Sequence, residues 1–258
     1  MLMLIDCCSG PVTSSALRLG YASILTDIDR SRVLDLVPER KLVAAVSLLE
    51  TLTPEQRTSV KAVAMDMWDP YIAATREYIP EAEEKIVFDH FHVTRQVTEA
   101  LDKVRQQEHK ALMAQGDEQL KRTRHLWLAN RENVPEWRKE EFAAIRKANL
   151  KTGRAWSIKE SLRKFWHYRY PKSALGYFRR WYYWATHSRL APIVKAAKTL
   201  DKYLPNIMTY FEHRISNATA EGLNSKIQMV KEMACGFRNR DHYRIAIYFH
   251  CGGLSLYP

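Results

Sequence analysis

The chain has 258 residues, of which 46% are hydrophobic, 27% charged and 11% aromatic, and its formal net charge is +11. Such a mix supplies a core for one large or two modest domains and excludes a disordered chain, a collagen-like chain and a coiled-coil rod. The basic excess points to a polyanionic partner, nucleic acid ahead of a membrane surface.

No run of about 18 apolar residues is present, so no segment spans a bilayer and no membrane partner is expected. Met1–Leu4 is apolar but lacks the basic flank and long apolar stretch of a signal peptide. Cys7, Cys8, Cys235 and Cys251 form no CxxC pair, which argues against a disulfide framework or a zinc site and makes the reducing cytoplasm the expected setting.

The charge is split along the chain. Residues 1–90 carry 9 Lys+Arg against 14 Asp+Glu, a net of −5, whereas residues 91–258 carry 31 against 15, a net of +16. Residues 151–190 are the steepest part, with ten basic residues, the single acid Glu160 and eleven aromatics. Basic side chains interleaved with rings suit a surface that neutralises phosphates and stacks on bases. A plainer reading also stands, in which the rings are helix core and only the charges face water.

Taken in order, residues 1–20 look unlike the rest, and Asp6 with the Ser/Thr-rich residues after it reads as loop or extension. Tyr21–Thr26 and Arg32–Val37 are strand-like runs around a turn-like segment, a hairpin. Lys41–Leu52 has helical spacing and stops before Pro54. Val60–Met65 is a short apolar strand that delivers Asp66 at its end. Asp69 suits an N-cap and Pro70 the first helical position of a helix to about Tyr78. Ile86–Phe88 is another buried strand, ending at Asp89. Strands and helices therefore alternate in an α/β layered pattern.

Beyond His92 the pattern is helical. Val93, Val97, Leu101 and Val104 mark a long amphipathic helix, and further helices are expected near 117–130, 136–148, 155–166, 173–187 and 189–203. Breaks are expected near Pro135, Gly153, Pro171 and Pro205. Ser216 or Asn217 can cap a last helix from Ala218 to about Met233, with Gly236 beyond its end. Leu223, Ile227, Val230 and Ala234 form its apolar stripe, and Glu221, Asn224, Ser225 and Gln228 share another face.

Two acids stand in informative places: Asp66 at the end of a buried strand, and Glu221 near the start of that last helix. Carboxylates so placed can hold hard Mg²⁺ ions, and two such ions about 4 Å apart support phosphodiester chemistry. Taken alone the pair is weak evidence, because most strand-end Asp residues are caps or turn formers.

The surrounding motifs are more specific. Val63-Ala-Met-Asp66-Met-Trp-Asp-Pro-Tyr71, Ile79-Pro-Glu-Ala82 and Ile86-Val-Phe-Asp89-His-Phe-His92 resemble the catalytic domain of bacterial insertion-sequence transposases of the ISL-three type. So do Ile215-Ser-Asn-Ala-Thr-Ala-Glu221-Gly-Leu-Asn224-Ser-Lys-Ile227 and the Gly236-Phe-Arg238-Asn that follows. The four motifs agree in order and spacing from about Tyr21 to the C-terminus.

The resemblance implies an RNase H-like mixed sheet, with a large helical insertion between the last strand and the Glu-bearing helix. It implies a DDE triad that binds Mg²⁺, with Mn²⁺ as a substitute, for DNA strand cleavage and strand transfer. Asp66 would be the second triad member and Glu221 the third, both catalytic and metal-binding, with Asp89, His92 and Asn224 in support. Arg163, Lys164, Arg179, Arg180, Trp181 and Arg238 are the DNA-contacting candidates, for element terminal repeats and target DNA, with copies assembling on DNA. The corresponding divisions are 1–20 as an extension, 21–93 as the core, 94–212 as the basic insertion and 213–258 as the closing segment.

The first triad member belongs on the opening strand, about a dozen residues before Tyr21. Asp6 stands near that distance, but its Leu4-Ile-Asp6-Cys-Cys setting does not match the family's Gly-Ile-Asp-Glu-like pattern. Asp27 and Asp29 belong to the hairpin and are poor substitutes. An N-terminally truncated copy, lacking the upstream DNA-reading modules, is the expectation. Two outcomes stay open, an active catalytic domain and a catalytically dead remnant that only binds DNA. An RNase H-like nuclease acting on RNA is a third and weaker reading.

Overall fold

A computed structural model of the chain describes residues 1–7, 22–39, 41–148, 150–215, 218–233 and 239–253. It divides into two units, residues 1–89 with 212–258, and residues 90–211. In the first, strands β1 (Leu2–Cys7), β2 (Ala22–Asp27) and β3 (Arg32–Pro38) form an antiparallel meander. Helices α1 (Leu42–Glu50) and α2 (Pro54–Ser59) lead to β4 (Val63–Met65), and α3 (Asp69–Tyr78) and α4 (Ala82–Lys85) lead to β5 (Ile86–Phe88). The sheet order is β3-β2-β1-β4-β5, with β4 parallel to both β1 and β5.

Residues 2–7 are thus not part of an opening loop. The apolar run Leu2–Leu4 is buried and occupies the centre of the sheet, paired on both edges. Residues 8–20, the remainder of the expected extension, and Tyr21, the expected start of the next strand, lie outside the described residues. The strand expected from Val60 is confined to Val63–Met65, because α2 runs to Ser59 and Val60 serves as its C-cap. Asp69 is the first helical residue and not the cap. Trp68 takes the cap position without a side-chain cap bond, and Asp69 sets negative charge in the first turn, where the helix dipole favours it.

The second unit is all helix. Its spine is α5 (His90–Met113), whose Val93, Val97, Leu101 and Val104 are buried as their spacing requires. Around it come α6 (Arg124–Leu128), α7 (Lys139–Lys147), α8 (Lys151–Arg163), α9 (Pro171–Thr186), α10 (Ala191–Lys202) and α11 (Leu204–Met208), then α12 (Tyr210–His213). The long helix expected over 117–130 shrinks to α6. Gly116 has φ +78 and Arg122 φ +58, and the Asp117 side chain accepts from the Gln119 N–H, so that stretch is spent in turns.

Helix α8 starts earlier than expected and passes straight through Gly153. The Glu108 carboxylate of α5 accepts the backbone N–H groups of Lys151 (2.8 Å) and Thr152 (2.7 Å), capping from another helix the donors that α8 cannot satisfy itself. At α6 the reverse end is served. Buried Lys159 donates to the carbonyls of Leu128 (3.3 Å) and Ala129 (2.7 Å) and pairs with Glu160, and burial pulls its pKa below the ordinary lysine value.

Asp102 ties α5 to the start of α6. It accepts from Arg105 (2.7 Å), Gln106 (3.0 Å) and Arg124 (3.2 Å). Burial opposes its charge, but the hydrogen bonds from Arg105 and Gln106 and the Arg105 charge prevail and hold the carboxyl below the usual range.

After the helical unit the chain returns to the first one as α13 (Ala218–Met233) and α14 (Arg240–Cys251). Leu223 and Ile227 of α13 and Tyr243, Ile247 and Cys251 of α14 share one core with Ile24, Val33 and Leu36 of the sheet. Ser23, next to Ile24 and therefore on the opposite face, hydrogen-bonds Tyr71 of α3 at 2.8 Å. Helices thus cover both faces of the meander. Arg244 pairs with buried Asp35 of β3 at 2.9 Å, and the Tyr248 hydroxyl donates to the same carboxylate, pinning α14. Ser216, Asn217 and Gly236, the expected ends of α13, lie outside the described residues. Among the described residues no helix is long and apolar enough to cross a membrane.

Two stability outcomes follow from this packing. Ile227→Ala opens a cavity under α13 and should lower unfolding free energy by about 2–5 kcal/mol in urea titrations. Asp102→Asn leaves the buried Arg105 without its counter-charge and should cost about 3 kcal/mol at neutral pH. Because the folded carboxyl titrates below its unfolded value of 3.8, its contribution is present above that pH and is lost as pH falls through the folded value. The deficit of Asp102→Asn relative to wild type should therefore shrink on acidification below about pH 4.

Candidate functional site

The site begins with strand register. In the parallel β4–β5 pair, Met65 stands opposite Phe88, and every residue of both strands is buried. The next residues, Asp66 and Asp89, are the first on each strand that emerge, and both are half-buried. The Asp89 N–H donates to the Met65 carbonyl at 3.1 Å, so the two strands stay in step up to the carboxylates. The Trp68 N–H then donates to the Asp66 carbonyl at 2.7 Å, turning the chain into α3.

His92 follows Asp89 by three residues, in the first turn of α5. Asp66, Asp89 and His92 each offer a ligand atom, and the three atoms lie within 4.8 Å of one another. Two carboxylates this close repel, and a cation held between them offsets that repulsion. The donor set suits a hard divalent ion through the two carboxylates, whereas the imidazole is a poorer partner for Mg²⁺ than for a transition metal.

Asp6 is in β1, two residues beyond Leu4, which pairs with Met65. Its backbone therefore lies at the carboxyl end of the strand beside β4, on the side of the sheet edge that carries Asp66. The chain leaves β1 for β2 on one side while β4 adds on the other, and ligands of open α/β sheets favour the strand ends at such a reversal. Glu221 and Asn224 belong to α13, near its start. Their side chains, like that of Asp6, lie outside the described residues.

The basic candidates separate. Trp181 is buried (2% exposed) and its indole N–H donates to the Ile158 carbonyl at 3.0 Å, so the ring belongs to the helical core and not to a DNA-facing surface. Trp156, Phe165 and Phe178 are buried with it, while Tyr170, Tyr183 and Trp184 are exposed. Arg163 is engaged within the fold by Glu132 and Glu160. The Arg163 hydrogen bond holds the Glu132 carboxyl down at about 2. Lys164, Arg179 and Arg180 are exposed, and Arg238 lies outside the described residues.

Sequence reading concentrated on 151–190 and passed over a second basic face. Arg189, Lys195, Lys198 and Lys202 line a groove of about 630 Å³ along α10, and no acid is among the described residues that line it. Their signal was present as lysines at i, i+3 and i+7, opposite the buried Ile193, Ala196, Ala197 and Leu200.

Comparison with known proteins agrees with the motifs. A family model described as "Transposase", of the ISL3 insertion-sequence type, matches residues 13–247. The chain is 29% identical over 230 residues to the transposase for insertion sequence element IS1001 of Bordetella parapertussis, covering 88% of this chain and 56% of that protein. It is 26% identical over 244 residues to the transposase for insertion sequence element IS1557 of Mycobacterium tuberculosis (strain CDC 1551 / Oshkosh), covering 85% and 54%. The chain thus spans about half the length of the curated relatives it matches. No solved structure matches it. With its motifs in register and the family match running over most of its length, the chain belongs to the ISL3-type insertion-sequence transposases.

Proposed function

We propose that this chain is the catalytic part of a DDE transposase with an RNase H-like sheet, cutting DNA strands and joining them to target DNA. The observation that carries the reading is the meeting of Asp66 and Asp89 at the ends of adjacent parallel strands, with His92 beside them. The order β3-β2-β1-β4-β5, with Asp6 near the carboxyl end of β1, supports the same fold and a place for a third carboxylate.

On this reading Asp66 and Glu221 are the metal-holding carboxylates, Asp6 is the candidate for the first, and Asn224 supports Glu221. Bound Mg²⁺ or Mn²⁺ would supply Lewis-acid stabilisation of the attacking and leaving oxygens of a phosphodiester. Asp89 raises the local negative charge and so the affinity for a cation. His92 is placed to donate a hydrogen bond to Asp89 or to a phosphate oxygen. The exposed lysines of α10 offer a track for the phosphate backbone, with assembly of copies on DNA as the accompanying expectation.

A chain that only binds DNA is the second reading, favoured by the Leu4-Ile-Asp6-Cys-Cys setting of the candidate first carboxylate, which departs from the family's pattern. Nicking of terminal-repeat DNA in Mn²⁺ or Mg²⁺ separates the two. Asp66→Asn should lower nicking about a thousandfold or more, and His92→Gln about 10–100-fold. Nicking untouched by Asp66→Asn removes that residue from the site, and salt-dependent binding without nicking by the wild type favours the second. In parallel, Mn²⁺ should raise the melting temperature of the wild type and not of Asp66→Asn.

The α10 surface gives an independent outcome. Replacing Lys195, Lys198 and Lys202 together by Ala should weaken duplex binding at low salt. It should also flatten the dependence of log K on log salt by up to about 3, near 0.9 for each phosphate that the variant no longer neutralises.

A further inference from the structure

The helical unit holds a cavity that the carboxylate chemistry does not use. Its volume is about 610 Å³, within the roughly 300–1,000 Å³ of sites that enclose small molecules. Part of its lining is aromatic. The rings of Trp166 and Tyr210 meet edge to face at 5.1 Å and 85°, and His90 packs 5.7 Å from Trp166. Phe91, also in the lining, is 58% exposed, although Val93 and Val97 further along α5 are buried. The helix thus turns this ring outward, away from its buried stripe.

The polar lining is equally selective. Asn130 and Asn133 bring two carboxamides, each able both to donate and to accept. Arg95, more than half exposed, brings a guanidinium, and no acid is among the described residues that line the cavity. An apolar ligand would not call for two carboxamides and a cation, and an acidic peptide would not call for a wall of rings. Ring faces, amide edges and a nearby cation together fit one chemical unit, a nucleotide. Unstacked bases are held by aromatic stacking and read along their edges by such groups.

We infer that this cavity receives a single unpaired or extruded nucleobase of a DNA substrate. The base stacks against the Phe91, Trp166 and Tyr210 rings, Asn130 and Asn133 meet its edge, and the exposed Arg95 lies toward its phosphate. The inference rests on the DNA reading above and adds a distinct recognition step to it. His90 and Phe91 are the two residues between Asp89 and His92, so along the chain the pocket begins inside the segment that bears the carboxylate site.

The test is fluorescence anisotropy with the full chain in Ca²⁺, using a labelled duplex of about 30 base pairs. One version is fully paired, and the other carries one unpaired thymine at its centre. The unpaired version should bind about tenfold more tightly, a gap of about 1.4 kcal/mol. Phe91→Ala and Asn133→Asp, both at exposed positions, should each abolish that preference while leaving the fully paired affinity and the melting temperature unchanged. Equal binding of the two duplexes by the wild type, or a preference that survives both variants, overturns the inference and leaves the DNA reading intact. Failure to bind either duplex at low salt overturns both.

Discussion

Asp66 and Asp89 meet because two three-residue strands run parallel and in step. Met65 opposite Phe88 fixes the register, and the hydrogen bond from Asp89 to Met65 carries it one residue further. A slip of one residue would exchange the faces of every side chain on the strand. The complete burial of both strands forbids that slip, since it would also pull a carboxylate into the sheet. The site is therefore a by-product of apolar packing: the acids lie together because the Val, Ala, Met, Ile and Phe before them cannot lie elsewhere.

The same logic reaches the third element of the proposed site. Nothing in Glu221 itself places α13; Leu223 and Ile227, two and six residues later, do so by sharing a core with Ile24, Val33 and Leu36. Helix α14 reinforces that face through Arg244 and Tyr248 on Asp35. Strand β1 is paired on both sides, by β2 and β4, and its Leu2–Leu4 are buried there.

In the helical unit, charge serves the fold before it serves a partner. Lys159 holds the end of α6, Arg105 and Arg124 meet Asp102, and Arg163 bridges Glu132 and Glu160. Those cations are taken up internally, and the field offered to a polyanion comes from exposed positions such as Lys164, Arg179, Arg180 and the lysines of α10. The rings divide in the same way, with Trp156, Phe165, Phe178 and Trp181 building the core and Phe91 and Tyr170 left outside it.

The sequence by itself determined the alternation of strands and helices, the acids at the ends of two apolar runs, the long amphipathic α5 and the transposase motifs. Each of these is local, since periodicity and spacing express it within a few residues. Tertiary structure decided the rest. Leu2–Cys7 became a strand because β2 and β4 pair with it, which a six-residue run followed by Cys8, Ser9 and Gly10 cannot announce. Helix α8 crossed Gly153 because Glu108, more than forty residues away, caps it. Trp181 withdrew into the core and Trp184 did not, although both are rings of the same basic stretch. Burial is set by what packs against a side chain, and that partner lies far away along the chain.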